Sequence, residues 1–219
     1  MTRVRSESLS GHISEILNNP NYDYFETYAL PPTWDITDLD TYPLDLGDYD
    51  VVINTSGITL NEPVLKHFTQ SARNVFDVNV IGAMNLTSEY ARQRTGLEKS
   101  GLIIHVGSVG ARKVFTNCSA YCASKAALAH YIQCAGYELK PSKISVVGVH
   151  PGNIKDTHMT QIVQMDLKWN RGMSIEQIDD IYKDAHNPED IADFIIAMLA
   201  LNPNDITGEN FYMGQGWKG

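Results

Sequence analysis

The sequence predicts an α/β fold: a mostly parallel sheet with helices on both faces, built as one domain over residues 1–219. Three observations carry this. Residues 50–54 (DVVIN), 101–106 (GLIIHV) and 144–149 (ISVVGV) are short, continuous apolar runs, the pattern of strands covered on both faces. Longer segments with helical spacing lie between them, and such alternation means parallel strands joined by crossovers. Each run also ends in a polar or conformationally special residue: Asn54, Ser108 shortly after the second, and Pro151. Sheets of this kind bind their ligands outside the carboxyl ends of the strands.

In chain order, residues 8–17 read as a helix, because Leu9, Ile13, Ile16 and Leu17 recur at helical spacing and Asn18-Asn19-Pro20 stops it. Residues 24–30 read as a strand closed by Pro31-Pro32, and 34–37 as a second short extended piece. Residues 38–47 hold at most a brief helix. After the run at 50–54, Thr55-Ser56-Gly57 ends the strand, and 67–94 is long and mostly helical. The alanine-rich helix at 119–139 is suited to close packing. Pro151-Gly152 breaks the third run. The polar stretch 157–185 is helical in parts, with Gly172 as a break. Residues 188–201 form an amphipathic helix with proline at its start, and 206–213 a final strand.

With 219 residues, 43% of them hydrophobic and 20% charged, the chain can bury a substantial core and is not of disordered composition. A net charge of −9 leaves no basic field to draw in nucleic acid or an anionic membrane. Three cysteines, Cys118, Cys122 and Cys134, cannot form a paired framework, which points to a reducing compartment. Cys118 and Cys122 can share a helix face, yet no second ligand pair accompanies them, so they read as structural thiols and no metal site is expected. No secretory leader and no membrane-spanning run is recognisable, so the expectation is a cytoplasmic protein.

The chemistry-bearing stretch is 101–125. Tyr121 follows Ser108 by thirteen residues, and Lys125 follows Tyr121 by four. On a helix, Tyr121 and Lys125 lie one turn apart on the same face. A serine at a strand end can then meet them across one cleft.

These residues, with others in the same order, resemble the short-chain dehydrogenase/reductase family over residues 9–216. Asn54-Thr55-Ser56-Gly57 stands where the family has an Asn-Asn-Ala-Gly turn. Asp35 matches an acidic residue that helps hold adenine, and Asn79 matches the catalytic asparagine. Ser108, Tyr121 and Lys125 match the catalytic serine and the Tyr-x-x-x-Lys pair. Pro151-Gly152, with Ile154, matches the turn beside the nicotinamide, and Ile206-Thr207-Gly208 opens the usual last strand. The resemblance implies a reduced Rossmann-type sheet with NAD or NADP as cofactor, a small carbonyl or alcohol as substrate, and a homotetramer or homodimer. It makes Asn79, Ser108, Tyr121 and Lys125 the catalytic set. It assigns cofactor binding to Asp35, Asn54, Ser56, Gly57, Tyr121, Lys125, Pro151, Gly152 and Ile154. Tyr121 would be the general acid in reduction and the base in oxidation. The Lys125 ammonium would lower a phenol pKa otherwise near 10. Asn79 would fix a water linking Lys125 to solvent, bending its own helix.

The chain departs from the family at its start. The opening strand and glycine-rich phosphate turn are missing or vestigial: residues 3–11 (RVRSESLSG) hold one glycine, Gly11. Side chains there obstruct the close approach of backbone to phosphate that glycines permit. Glu7 adds negative charge, while Arg3 and Arg5 offer charge-assisted bonds to phosphate. An alternative reading follows: a family-derived protein with weakened or lost dinucleotide binding, acting as a non-enzymatic or differently liganded oligomer. His105 and His150 read as satisfied core histidines. Met159, Met165 and Met173 either line a substrate pocket or pack the polar stretch.

Overall fold

The computed structural model describes residues 35–42, 45–66 and 68–214. The helix expected at 8–17, the strand at 24–30 and the atypical phosphate turn at 3–11 lie outside them. The chain divides into two compact units, one of residues 33–150 with 201–213, the other including 151–200.

The first unit carries, among the described residues, a four-stranded sheet in the order β1-β2-β3-β4. Its strands are β1 (Val51–Asn54), β2 (Gly101–Val106), β3 (Ile144–Pro151) and β4 (Asn210–Met213). β1 and β2 run parallel, with Asn54 opposite His105, and β2 and β3 run parallel, with Val106 opposite Val149. Residues 102–106 and all of β3 are buried. Alternation then sends Ile103, Ile144 and Val146 to one face and Leu102, Ile104, Val147 and Val149 to the other, which is why both strands read as continuous apolar runs. Fully burying each such side chain is worth about 1.5–3 kcal/mol.

One face is covered by α2 (Ala83–Gly96) and α3 (Ser119–Leu139). Ala83, Leu86, Tyr90 and Ala91 join Leu128, Ile132 and Ala135 in one core with Ile103, Ile144 and Val146. Buried Arg94, near the end of α2, reaches the carbonyls of Ser100 and Gly47 and the carboxylate of Asp50. It thereby ties the helix end to the approach to β1.

The helical stretch expected at 67–94 is three pieces. α1 (Thr69–Phe76) runs into a π-helical segment, Asp77–Gly82, before α2 begins. Two expected extended pieces are corrected. Residues 35–37 form a turn, because the Asp35 carboxylate accepts both the backbone N–H and the hydroxyl of Thr37, at 2.8 Å each. The final strand starts at Asn210 and not at 206, because Asn202 caps the short α7 (Pro203–Ile206) and Gly208 turns the chain at φ +82°.

The second unit contains α4 (His158–Trp169), α5 (Ile175–Tyr182) and α6 (Pro188–Leu199). Thr157 caps α4, a Ser174–Gln177 capping box starts α5, and Asn187-Pro188 starts α6. Gly172, at φ +64°, makes the expected break between α4 and α5. Ile191, Ala192 and Ile195 on α6 are fully buried. Met165 lines a shallow cavity of about 360 Å³ between α4 and α5, with Trp169, Ile175 and Ile178.

Candidate active site

Asn54, the last residue of β1, is buried and fully engaged. Its Oδ1 accepts the Ser56 N–H at 3.0 Å, and its Nδ2 lies 3.0 Å from His105 Nδ1. His105 Nε2 lies 2.8 Å from the Thr87 hydroxyl, which donates to the Ala83 carbonyl at 2.9 Å. With that proton committed, Thr87 must accept from Nε2–H, and the Nδ1 lone pair receives the Asn54 amide. His105 is therefore a neutral imidazole. Burial, with the Lys125 charge adding to it, pushes its pKa down to about 3. This chain of bonds fixes the turn Thr55-Ser56-Gly57. At Gly57 an added Cβ would stand 3.2 Å from Lys125 Nζ and 3.4 Å from Asn79 Oδ1. A side chain there would crowd the Lys125 ammonium and touch Asn79.

Asn79 sits in the π-helical segment and is 1% exposed. Its Oδ1 accepts the Ile58 N–H at 2.8 Å, and its Nδ2 donates to the Ile58 carbonyl at 2.9 Å and to Ser124 Oγ at 3.0 Å. The side-chain amide thus clasps the loop after Gly57, and both of its N–H bonds go to protein groups. The expected irregularity of this helix is present. π-turns of this kind are frequent at functional positions.

Ser108 has an extended backbone and caps a short 3₁₀ turn, its Oγ accepting the Gly110 N–H at 3.0 Å. That leaves the hydroxyl proton free to donate toward the Tyr121 phenol, an interaction that acts to lower the phenol's pKa. Tyr121 and Lys125 share one face of α3, both buried, with Nζ 5.9 Å from the phenol ring centre. Ser124, buried between them in sequence, donates to the Tyr121 carbonyl at 2.7 Å and receives the Asn79 amide. The expected lowering of the phenol pKa is not what the geometry gives. Burial pushes Tyr121 up to about 12, with the Ser108 bond acting against it. Burial also brings Lys125 down to about 8. Desolvation is the largest cause in both groups.

Asn54, Ser56, Gly57, Asn79, Ser108, Tyr121 and Lys125 thus lie on linked elements of the first unit. Asp35 lies elsewhere in it, in an exposed turn where Thr37 uses its carboxylate and draws its pKa down. Pro151, Gly152 and Ile154 belong to the second unit. Ile154 bridges to His186 there, and its carbonyl accepts the Thr160 hydroxyl. His105 and His150 are core histidines with both nitrogens engaged, as their strand positions suggest. The sequence reading missed Ser124 and Thr87. Three residues after Tyr121 on the same helix face, Ser124 was the more accessible of the two. All three cysteines are free thiols, and Cys118 donates to Asn61 Oδ1 at 2.8 Å at the start of α3. Among the described residues there is no group of three side chains suited to a metal, and no helix long and apolar enough to cross a membrane.

Comparison with known proteins places this arrangement. The sequence model of the short chain dehydrogenase family matches residues 39–168. An NADP-dependent 3-hydroxy acid dehydrogenase of Schizosaccharomyces pombe is 27% identical over 195 residues, covering 84% of this chain and 72% of the relative. An L-2,3-butanediol dehydrogenase of Corynebacterium glutamicum is 28% identical over 170 residues, covering 75% of this chain and 66% of the relative, just under two thirds of its length. Among solved structures, a short chain dehydrogenase family protein from Francisella tularensis superposes with a TM-score of 0.76 at 18% identity, over 93% of this chain and 91% of that one. A 4-hydroxyisoleucine dehydrogenase complexed with NADH and succinate gives 0.70 at 25% identity, over 92% and 84%. From residue 39 to 168, across the elements that hold Asn79, Ser108, Tyr121 and Lys125, this chain belongs to the short chain dehydrogenase family.

Proposed function

We propose that the protein is an NAD- or NADP-dependent oxidoreductase that interconverts a small carbonyl compound and its alcohol, with Tyr121 as the general acid and base. The observation that carries the reading is one buried group of Ser108, Tyr121 and Lys125, the last two on the same helix face, with Asn79 joined to it through Ser124 and fixing the loop beside it. The names of relatives support it: an NADP-dependent 3-hydroxy acid dehydrogenase and a 2,3-butanediol dehydrogenase both concern small hydroxylated molecules.

The residues fit a dinucleotide on its nicotinamide side. Lys125 is 3% exposed, and its ammonium reaches the Val106 carbonyl at 3.4 Å, the long limit of a hydrogen bond. An ammonium carries three donors, so Lys125 keeps capacity for ribose hydroxyls beside the space that Gly57 leaves open. The turn Asn54, Ser56 and Gly57 would hold the same half of the cofactor. Asp35, Pro151, Gly152 and Ile154 are assigned to it by family likeness. The nicotinamide supplies or accepts the hydride when bound.

The chain's own residues handle the proton. In reduction the Ser108 hydroxyl, its oxygen already taken by Gly110 N–H, turns its proton to the substrate oxygen. Tyr121 then transfers its phenolic proton to that oxygen. The Lys125 ammonium on the same helix face stabilises the phenolate left behind. In oxidation the phenolate takes the proton back. Burial keeps competing water from the phenol and makes each of these interactions stronger than in solvent.

The assay is titration of NADH and NADPH by calorimetry, followed by turnover of butane-2,3-dione and a panel of small ketones. Tyr121→Phe lowers turnover by about 10²–10⁴ while cofactor affinity stays within a few-fold. Failure of both nucleotides to bind at millimolar concentration overturns the reading. We further read the chain as a single-domain cytoplasmic protein that forms a homodimer or homotetramer through its long helices. Tyr137, 84% exposed on α3, supports that contact, and light scattering at micromolar concentration tests it.

A further inference from the structure

His150 takes no part in the chemistry above, yet its ring lies against the backbone of Ser108. It is fully buried near the end of β3. Its Nε2 lies 2.6 Å from Asn210 Oδ1 on β4, and the Asn210 amide donates to the Ala129 carbonyl of α3 at 3.0 Å. That second bond fixes which end of the Asn210 amide faces the ring. Its oxygen only accepts, so Nε2 must carry the proton, and in the neutral ring Nδ1 must carry a lone pair. Nδ1 faces the backbone of Ser108, 3.2 Å from its N–H and 3.3 Å from its carbonyl. Of the two, only the N–H can pair with a lone pair.

The surroundings hold the ring in that pose. Tyr212 stacks on it at 4.5 Å and 18°, and the Arg112 guanidinium stands 3.8 Å over Tyr212. Two glycines make the slot. A Cβ at Gly107 would come 2.2 Å from Nδ1, and one at Gly148 would come 2.6 Å from Nε2. Burial pushes the ring's pKa down to about 4, so the lone pair persists at neutral pH.

We propose that His150 is a positioning residue for Ser108: its Nδ1 lone pair accepts the Ser108 N–H and so aims the serine hydroxyl at the reacting oxygen. The strand end alone does not do this. Gly107 N–H bonds to Val149 across the β2–β3 ladder at 2.7 Å, and the ladder ends there. Ser108 is the next residue, and His150 extends the pairing by one more bond. The assignment of an activity to Ser108 rests on the function proposed above; the hydrogen bond does not.

The experiment therefore has two arms on the full chain. In the first, amide hydrogen exchange is read at Ser108 and Gly107 in the native protein, His150→Phe and His150→Asn. Phenylalanine keeps a ring for Tyr212 but has no acceptor, whereas the asparagine oxygen can accept the same N–H. The expected result is Ser108 exchange faster by about tenfold in His150→Phe, Gly107 unchanged, and protection restored in His150→Asn. Equal acceleration at both amides, or none at Ser108, overturns the proposal. In the second arm, turnover of butane-2,3-dione is followed. His150→Phe lowers kcat with KM within a few-fold, and His150→Asn recovers most of the loss. A loss in both variants alike overturns it. Should the native protein turn over no carbonyl, the proposed activity fails, and the exchange arm alone decides the role of His150.

Discussion

Mild acid acts on this fold through two buried histidines. His105 and His150 are both 0% exposed, and burial lowers their pKa values to about 3 and about 4 from an ordinary value of 6.5. The unfolded chain takes up these two protons as pH falls through 6.5, while the folded chain refuses them until about pH 4 and 3. Unfolded protein therefore binds more protons in this window, and stability falls as pH falls. Between pH 6 and 5 each unfolded imidazole is about 90% protonated and each folded one nearly neutral. The slope is then about 1.2 kcal/mol per pH unit for each, or ~2.4 kcal/mol together. The shifted carboxylates among the described residues, Asp35, Glu89 and Glu176, start from ordinary values near 4 and contribute little above pH 5. The assay is urea unfolding at pH 7, 6 and 5 at constant ionic strength, with the midpoint converted to free energy. Replacing either histidine by asparagine should remove about half of the slope. A slope that both single variants leave intact would refute the claim that these two rings are held neutral.

Substitutions at two further positions test other parts of the fold. Lys125→Met should abolish turnover yet raise stability at pH 7 by up to about 3 kcal/mol, because it removes a buried ammonium whose pKa is held near 8. A lower melting temperature would contradict this. Arg94→Ala should cost about 2–4 kcal/mol by leaving the Gly47 and Ser100 carbonyls without their donor. Arg94→Lys should recover less than half of that, since a single ammonium cannot span three acceptors, and equal recovery would show that charge alone matters.

How much could be read from the residues alone depended on the range of the interactions. β2 and the long helix α3 have the predicted bounds, 101–106 and 119–139, because a continuous apolar run and an alanine-rich helical period are local signals. The grouping of Ser108, Tyr121 and Lys125 was legible for the same reason: a strand end and one helix turn place them. The extended reading at 34–37 failed where it met the described residues, because the two bonds that the Asp35 carboxylate accepts from Thr37 override the local preference for strand. The last strand began four residues late because a proline helix turn intervenes. The pKa of Tyr121 was misjudged because charge pairing is visible in a spacing and burial is not. The task of His150 was beyond reach, since its partner Asn210 lies 60 positions along the chain.

The π-helical segment at Asp77–Gly82 carries a consequence for how this site can change. A helix advances by about 100° per residue, and a π-turn holds one residue more than an α-turn spanning the same length. Deleting any one residue of 77–82 other than Asn79 would let the stretch relax into an ordinary α-helix. It would also swing Asn79 away from Ile58 and Ser124, with every residue of the core face of α2 still present. At this point the chain's length is the variable that matters. A survey of substitutions alone would mark single side chains such as Asn79 and overlook the change in length that dismantles the segment.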